Sequence, residues 1–97
     1  MVRHIILWKL NETLTEEEKA AARAEAKRRL ESLNGQIDGL ISLTVITDRL
    51  PSSNADMMLD AVFTDTDALA GYQVNPLHVA AAGYVKSVTE ARLCLDF

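Results

Sequence analysis

The stretch Val2-Arg3-His4-Ile5-Ile6-Leu7-Trp8-Lys9-Leu10 decides the fold. Its β-branched and aromatic residues mark it as a strand. Side chains along a strand alternate between two faces. One face here carries His4, Ile6 and Trp8; the other carries Ile5 and Leu7. Both faces are largely apolar, so both need a cover, and a single layer of helices supplies only one. The run Met57–Thr64 repeats the pattern, with Leu59, Ala61 and Phe63 on one side and Met58, Asp60 and Val62 on the other.

Working outward, Thr15 and Glu18 have capping-box spacing and open a helix. Glu16 to Glu18 sit at its positive end and Lys27 to Arg29 toward its negative end. Ala22, Ala26, Leu30, Leu33 and Ile37 form its apolar stripe, Glu25 and Arg29 form an i,i+4 pair, and Asn34-Gly35 ends it. A second strand runs from about Leu40 to Thr47, with Ile41, Leu43 and Val45 on one side. Asp48–Asp56 reads as a polar loop. Asp65 or Thr66 caps a short helix carrying Leu69 and Tyr72, Asn75-Pro76 breaks it, and Val79–Val85 continues as a short helix or tight loop. Thr89–Phe97 is the last strand. The order β-α-β-β-α-β predicts one domain over residues 1–97. Its class is α+β, a ferredoxin-like four-stranded antiparallel sheet with both helices on one face. The opposite face, left apolar, predicts a twofold homodimer packed sheet against sheet, with Asp60 in an ion pair across the interface.

Apolar residues make up 48% of the chain, enough for a core. A net charge of -4 argues against nucleic acid and anionic membranes as partners. The first strand is too short and too charged for a signal peptide or membrane span. A single cysteine, Cys94, forms no internal disulfide, fits a reducing cytoplasm and is expected as a small buried hydrophobe. Two histidines and one cysteine do not reach the ligand count of a zinc or iron centre, so no metal is expected.

Chemistry concentrates in Tyr72-Gln73-Val74-Asn75-Pro76-Leu77-His78. His78 reads as a general acid or base, or as a histidine that caps the turn after Pro76. Tyr72 reads as a donor to a substrate carbonyl, or as a core tyrosine with a satisfied hydroxyl. His4 shares a face with Ile6 and Trp8, either lining the same cavity or bridging strand to helix. Ile6, Trp8 and Leu59 would line the cavity and, with Val45 and the alanines of the helices, exclude water. Arg92 either holds a substrate carboxylate or pairs with Glu90 or Asp60.

Three segments carry a resemblance to the stress-responsive A/B barrel (Dabb) family, and it spans essentially the whole chain. Arg3–Leu10 resembles the family's first strand, with a histidine near its start. Tyr72–Val79 resembles its Y…HPxH stretch, with Asn75 in place of the first histidine. Glu90–Phe97 resembles its closing strand. The resemblance implies a homodimer whose two sheets close into an α+β barrel. Many members have no known activity. Some plant relatives are polyketide cyclases that need no cofactor, in which residues matching Tyr72 and His78 assist an intramolecular aldol condensation. Those cyclases line the pocket with aromatic side chains where this chain has Ala22, Ala26 and Thr89. Related monooxygenases of the fold use tryptophan and asparagine. Haem-degrading relatives use an axial histidine, for which no motif here gives support.

The expected function is therefore binding of a small organic molecule, with acid–base chemistry on a carbonyl compound by Tyr72 and His78 and no cofactor. The alternative is a non-catalytic, stress-responsive dimeric binding or structural protein. An oxygen-using monooxygenase ranks below both. A cavity filled by Trp8 and methionine side chains, with no room for a ligand, would favour the non-catalytic reading.

Overall fold

In the computed structural model, which describes residues 1–97, the chain runs β1 (Val2–Leu10), α1 (Glu16–Glu31), β2 (Leu40–Ile46), β3 (Met57–Phe63), α2 (Thr66–Val74), α3 (Pro76–Val88) and β4 (Thr89–Asp96). The strands form one four-stranded sheet ordered β2-β3-β1-β4, antiparallel throughout. This is the ferredoxin-like arrangement. His4, Ile6 and Trp8 of β1 are buried with Leu43 and Val45 of β2 and with Leu59, Ala61 and Phe63 of β3. The apolar ones join Ala22, Ala26 and Leu30 of α1, Val85 of α3, and Leu33 and Ile37, which lie in the turns after α1 and not on the helix as expected, in one core cluster. The opposite face presents Leu7, Ile46, Leu93 and Leu95 as exposed apolar residues. No helix is long and apolar enough to cross a membrane.

Local chemistry sets the element ends. Thr15 and Glu18 make a complete capping box at α1, which carries the Glu25–Arg29 pair at 2.7 Å. Gly35 and Gly39 adopt φ of 78° and 80° in the connection to β2, the left-handed region that glycine enters without strain. The first residues of β2 depart from simple alternation. A register shift between Leu40 and Ser42 turns Ile41 out to solvent, away from Leu43 and Val45, against the expectation that all three share a side.

The free edge of β2 is closed by side chains from the end of α1 and the turn after it. Lys27 Nζ donates to the Val45 carbonyl at 2.6 Å, and the Val45 N–H donates to Glu31 Oε2 at 2.9 Å. The Asn34 amide bonds both main-chain groups of Leu43, each at 2.8 Å. The interface pairing expected for Asp60 is replaced by one within the chain: Arg3 Nη2 donates to Asp60 Oδ2 at 2.6 Å across the β1–β3 pair.

Candidate functional site

The break between α2 and α3 positions the central pair. Asn75 is extended, with φ -65° and ψ 129°, because a residue before proline is pushed out of the helical region. Its side chain accepts the Leu77 N–H at 2.9 Å and Pro76 takes the first position of α3. The helix then runs without interruption to Val88, longer than the short helix or loop expected, and Gly83 sits inside it. The turn folds His78 back onto Tyr72. Their ring centroids lie 4.1 Å apart, with the planes inclined at 38°.

Tyr72 is buried and held on its other sides by Phe63, edge-on at 4.9 Å, and His4, edge-on at 6.1 Å. Burial pushes its phenol pKa well above the ordinary value, so it stays protonated and is a donor at any physiological pH. Its hydroxyl makes no hydrogen bond to the protein, yet no buried polar side-chain atom is left without a partner, so the hydroxyl opens into the cavity. His78 Nδ1 lies 3.3 Å from the Gln73 carbonyl. A carbonyl only accepts, so this contact places the proton on Nδ1 and leaves the Nε2 lone pair free. Burial, followed by the charges of His4 and Arg92, lowers the His78 pKa below 6.5, and the Gln73 contact offsets this only in part. The imidazole is thereby a neutral base near pH 7.

Both rings border a cavity of about 510 Å³ between β1, β4 and the helices. His4, Ile6, Trp8, Leu59 and Arg92 line it too, so folding brings together all seven side chains singled out in the sequence. Trp8 walls the cavity and does not plug it. Of the positions matching the cyclases' aromatic residues, Thr89 lines the cavity, while Ala22 and Ala26 lie in the core away from it, where α1 contributes Leu30 instead.

Three expectations are corrected. His4 bridges strand to strand and not strand to helix: its Nδ1 donates to the carboxylate of Asp96, its register partner on β4. That bond, ahead of any burial effect, lowers the Asp96 pKa. Cys94 is exposed, because the helices do not reach over β4. Its Sγ lies 3.5 Å from Asp96 Oδ1 and 3.8 Å from His4 Nδ1, and burial with the neighbouring carboxylate raises its thiol pKa. His4, Cys94 and Asp96 thus bring three ligand-type atoms within 4.8 Å of one another, a cluster that counting histidines and cysteines could not foresee. Arg92, across the sheet from Trp8, pairs with neither Glu90 nor Asp60. Glu90 instead accepts the Glu12 N–H at 2.6 Å and Asp60 is held by Arg3.

Ala82, one of the helix alanines expected to exclude water, lines the cavity; Gln73, Val85 and Lys86 line it too and were missed. His78, Ala82, Val85 and Lys86 recur at helical spacing, so reading 79–88 firmly as helix would have found Val85 and Lys86.

The family model described as Stress responsive A/B Barrel Domain matches residues 2–97. Among curated proteins nothing matches the chain. Among solved structures it is similar to a dimeric protein of unknown function and ferredoxin-like fold from Bacteroides fragilis. The TM-score is 0.93 at 29% identity, covering 99% of this chain and 93% of that one. It is similar to a dimeric ferredoxin-like protein of unknown function from Thermobifida fusca, with a TM-score of 0.80 at 27% identity, covering 99% and 88%. SnoaB, a cofactor-independent oxygenase from Streptomyces nogalater, matches with a TM-score of 0.76 at 16% identity, covering 99% and 89%, a likeness of fold alone.

Proposed function

The chain belongs to the stress-responsive A/B barrel domain family, and on that premise we propose that it forms a homodimer whose cavity binds a small organic carbonyl compound and moves protons on it with Tyr72 and His78. The reading rests on one observation: a buried phenol with a free hydroxyl and a desolvated imidazole pack ring to ring at the wall of a cavity about 510 Å³ in volume. The Tyr72 hydroxyl donates to the substrate carbonyl and stabilises the enolate as charge develops there. His78 Nε2 takes the α-proton and returns it later in the cycle. His4, Ile6, Trp8 and Leu59 position the apolar body of the substrate and exclude water, and Arg92 contacts its polar end. This pair serves an aldol cyclisation of the polyketide-cyclase kind, an isomerisation or a dehydration, none of which needs a cofactor.

Dimerisation is supported by the apolar outer sheet face and by the two similar solved proteins described as dimeric. An exposed, unpaired Cys94 suits the reducing cytoplasm.

The test does not require the physiological substrate. Exchange of the α-hydrogens of phenylacetone in D2O, followed by proton NMR, reads the base directly. The wild-type protein accelerates exchange over buffer. His78→Ala returns it to the buffer rate, and Tyr72→Phe slows it by roughly a hundredfold, with the dimer intact by light scattering. Exchange in His78→Ala at the wild-type rate sinks the catalytic reading. A wild-type protein that binds the ketone without exchanging it is the non-catalytic binding module.

A further inference from the structure

Seven of the ten lysines and arginines sit in ion pairs with carboxylates. Arg23, Lys86 and Arg92 do not, and two of these three line the cavity. The cavity has one carboxylate of its own, Glu90, whose Oε1 already accepts the Glu12 N–H at 2.6 Å. A chain with a net charge of -4 has thus left two cations without a salt bridge around one hollow, Arg92 having only the more distant charge of Asp96 beside it. Carboxylates are in excess over the whole molecule, so a shortage of partners does not explain it. Low-dielectric walls formed by Ile6, Trp8 and Leu59 concentrate the field of those cations on whatever enters.

We propose that the cavity's occupant is an organic carboxylate, with Arg92 as its principal anchor and Lys86 as a second, longer-range charge. The planar guanidinium matches a carboxylate through two parallel hydrogen bonds, whereas an ammonium acts as a point charge. Arg92 lies on β4 directly across from Trp8, so an acid held there has its apolar body against the indole and Ile6. Tyr72 and His78 stand in the same cavity to meet a carbonyl elsewhere in the molecule. The substrate class is therefore a keto acid or another carbonyl compound with a free carboxylate. This inference rests on the cavity being a binding site, as proposed above, and adds the charge of what it binds.

The probes are 4-phenylbutyrate and its uncharged counterpart 4-phenylbutyramide, matched in shape. Trp8 is the only tryptophan and lines the cavity, so its emission reports occupancy without a label. At low ionic strength the acid binds at least about tenfold more tightly than the amide, and added salt narrows the gap. Arg92→Gln weakens the acid far more than the amide and brings the two to within about twofold of each other; Lys86→Gln narrows the gap in part. Both positions are exposed in the monomer, and circular dichroism confirms that the variants fold. Acid and amide binding equally to the wild type overturns the anion inference and leaves the binding site standing. A loss of both ligands alike in Arg92→Gln overturns it too, since the residue then merely shapes the wall. Failure of both compounds to bind the wild type overturns this inference and the binding site together.

Discussion

Replacing Leu93 by glutamate tests the proposed sheet-to-sheet dimer. Leu93 lies on the outer face of β4, opposite Leu7 of β1, and is 72% exposed in the single chain. Burying a leucine side chain fully contributes about 1.5–3 kcal/mol, so covering the exposed part of this one contributes about 1–2 kcal/mol. Twofold symmetry counts the residue twice, for about 2–4 kcal/mol per dimer. A glutamate loses that and sets two like charges into an apolar contact without partners, which costs several kcal/mol more. The sum raises the dimer dissociation constant by at least roughly a thousandfold. Because Leu93 is mostly exposed in the monomer, the fold itself is little affected. Sedimentation velocity at a few tens of micromolar protein reads the outcome: a dimer for the wild type, a monomer for Leu93→Glu, and a dimer for the control Ala24→Glu on the solvated side of α1. A Leu93→Glu protein that stays dimeric and native by circular dichroism refutes the proposed use of this face.

Three further outcomes follow from the packing and the charges. At Gly39, with φ of 80°, an added Cβ would stand 2.4 Å from Ala68 Cβ. Gly39→Ala therefore loses about 2–5 kcal/mol in denaturant unfolding, combining backbone strain with overlap, whereas Gly35→Ala, with open space around it, loses only about 1–2 kcal/mol. The Hε1 resonance of His78 titrates with a midpoint below 6.5, since burial disfavours the imidazolium. Folding lowers this group's proton affinity, so its stabilisation is complete above 6.5 and declines as the pH falls through the folded midpoint; the acid limb of the proton-exchange reaction falls below 6.5 as well. Asp96 has its pKa lowered by the His4 bond, so its contribution is present above the ordinary 3.8 and is lost as the pH falls through the lowered value. Thermal melting against pH should show the wild type above Asp96→Asn near neutrality and the two converging in acid.

Fold and site were legible to different depths because they depend on different ranges of the chain. Alternation in Val2–Leu10 and Met57–Phe63 is local, and it carries the core face and the apolar back. The Asn75-Pro76 break is local too, and it is what sets Tyr72 against His78. The His4–Asp96 bond joins residues 92 positions apart and exists only in one β1–β4 register, which no pattern in either strand dictates. Cys94 was misplaced for a related reason: its parity puts it on the helix side, but parity does not say how far the helices extend over an edge strand. Ile41 followed the period until a register shift moved it by one, a backbone event with no marker in Leu40-Ile41-Ser42.

The way α1 closes the flank of β2 bears on how this protein avoids misassembly. A bare strand edge invites any passing extended chain to dock by main-chain bonding and so seeds fibrous growth. With Lys27, Glu31 and Asn34 occupying the groups of Leu43 and Val45, a newcomer finds no template there. Growth by strand recruitment is blocked on that side, and stripping those three side chains to alanine should leave a molecule that still folds but gels on prolonged heating.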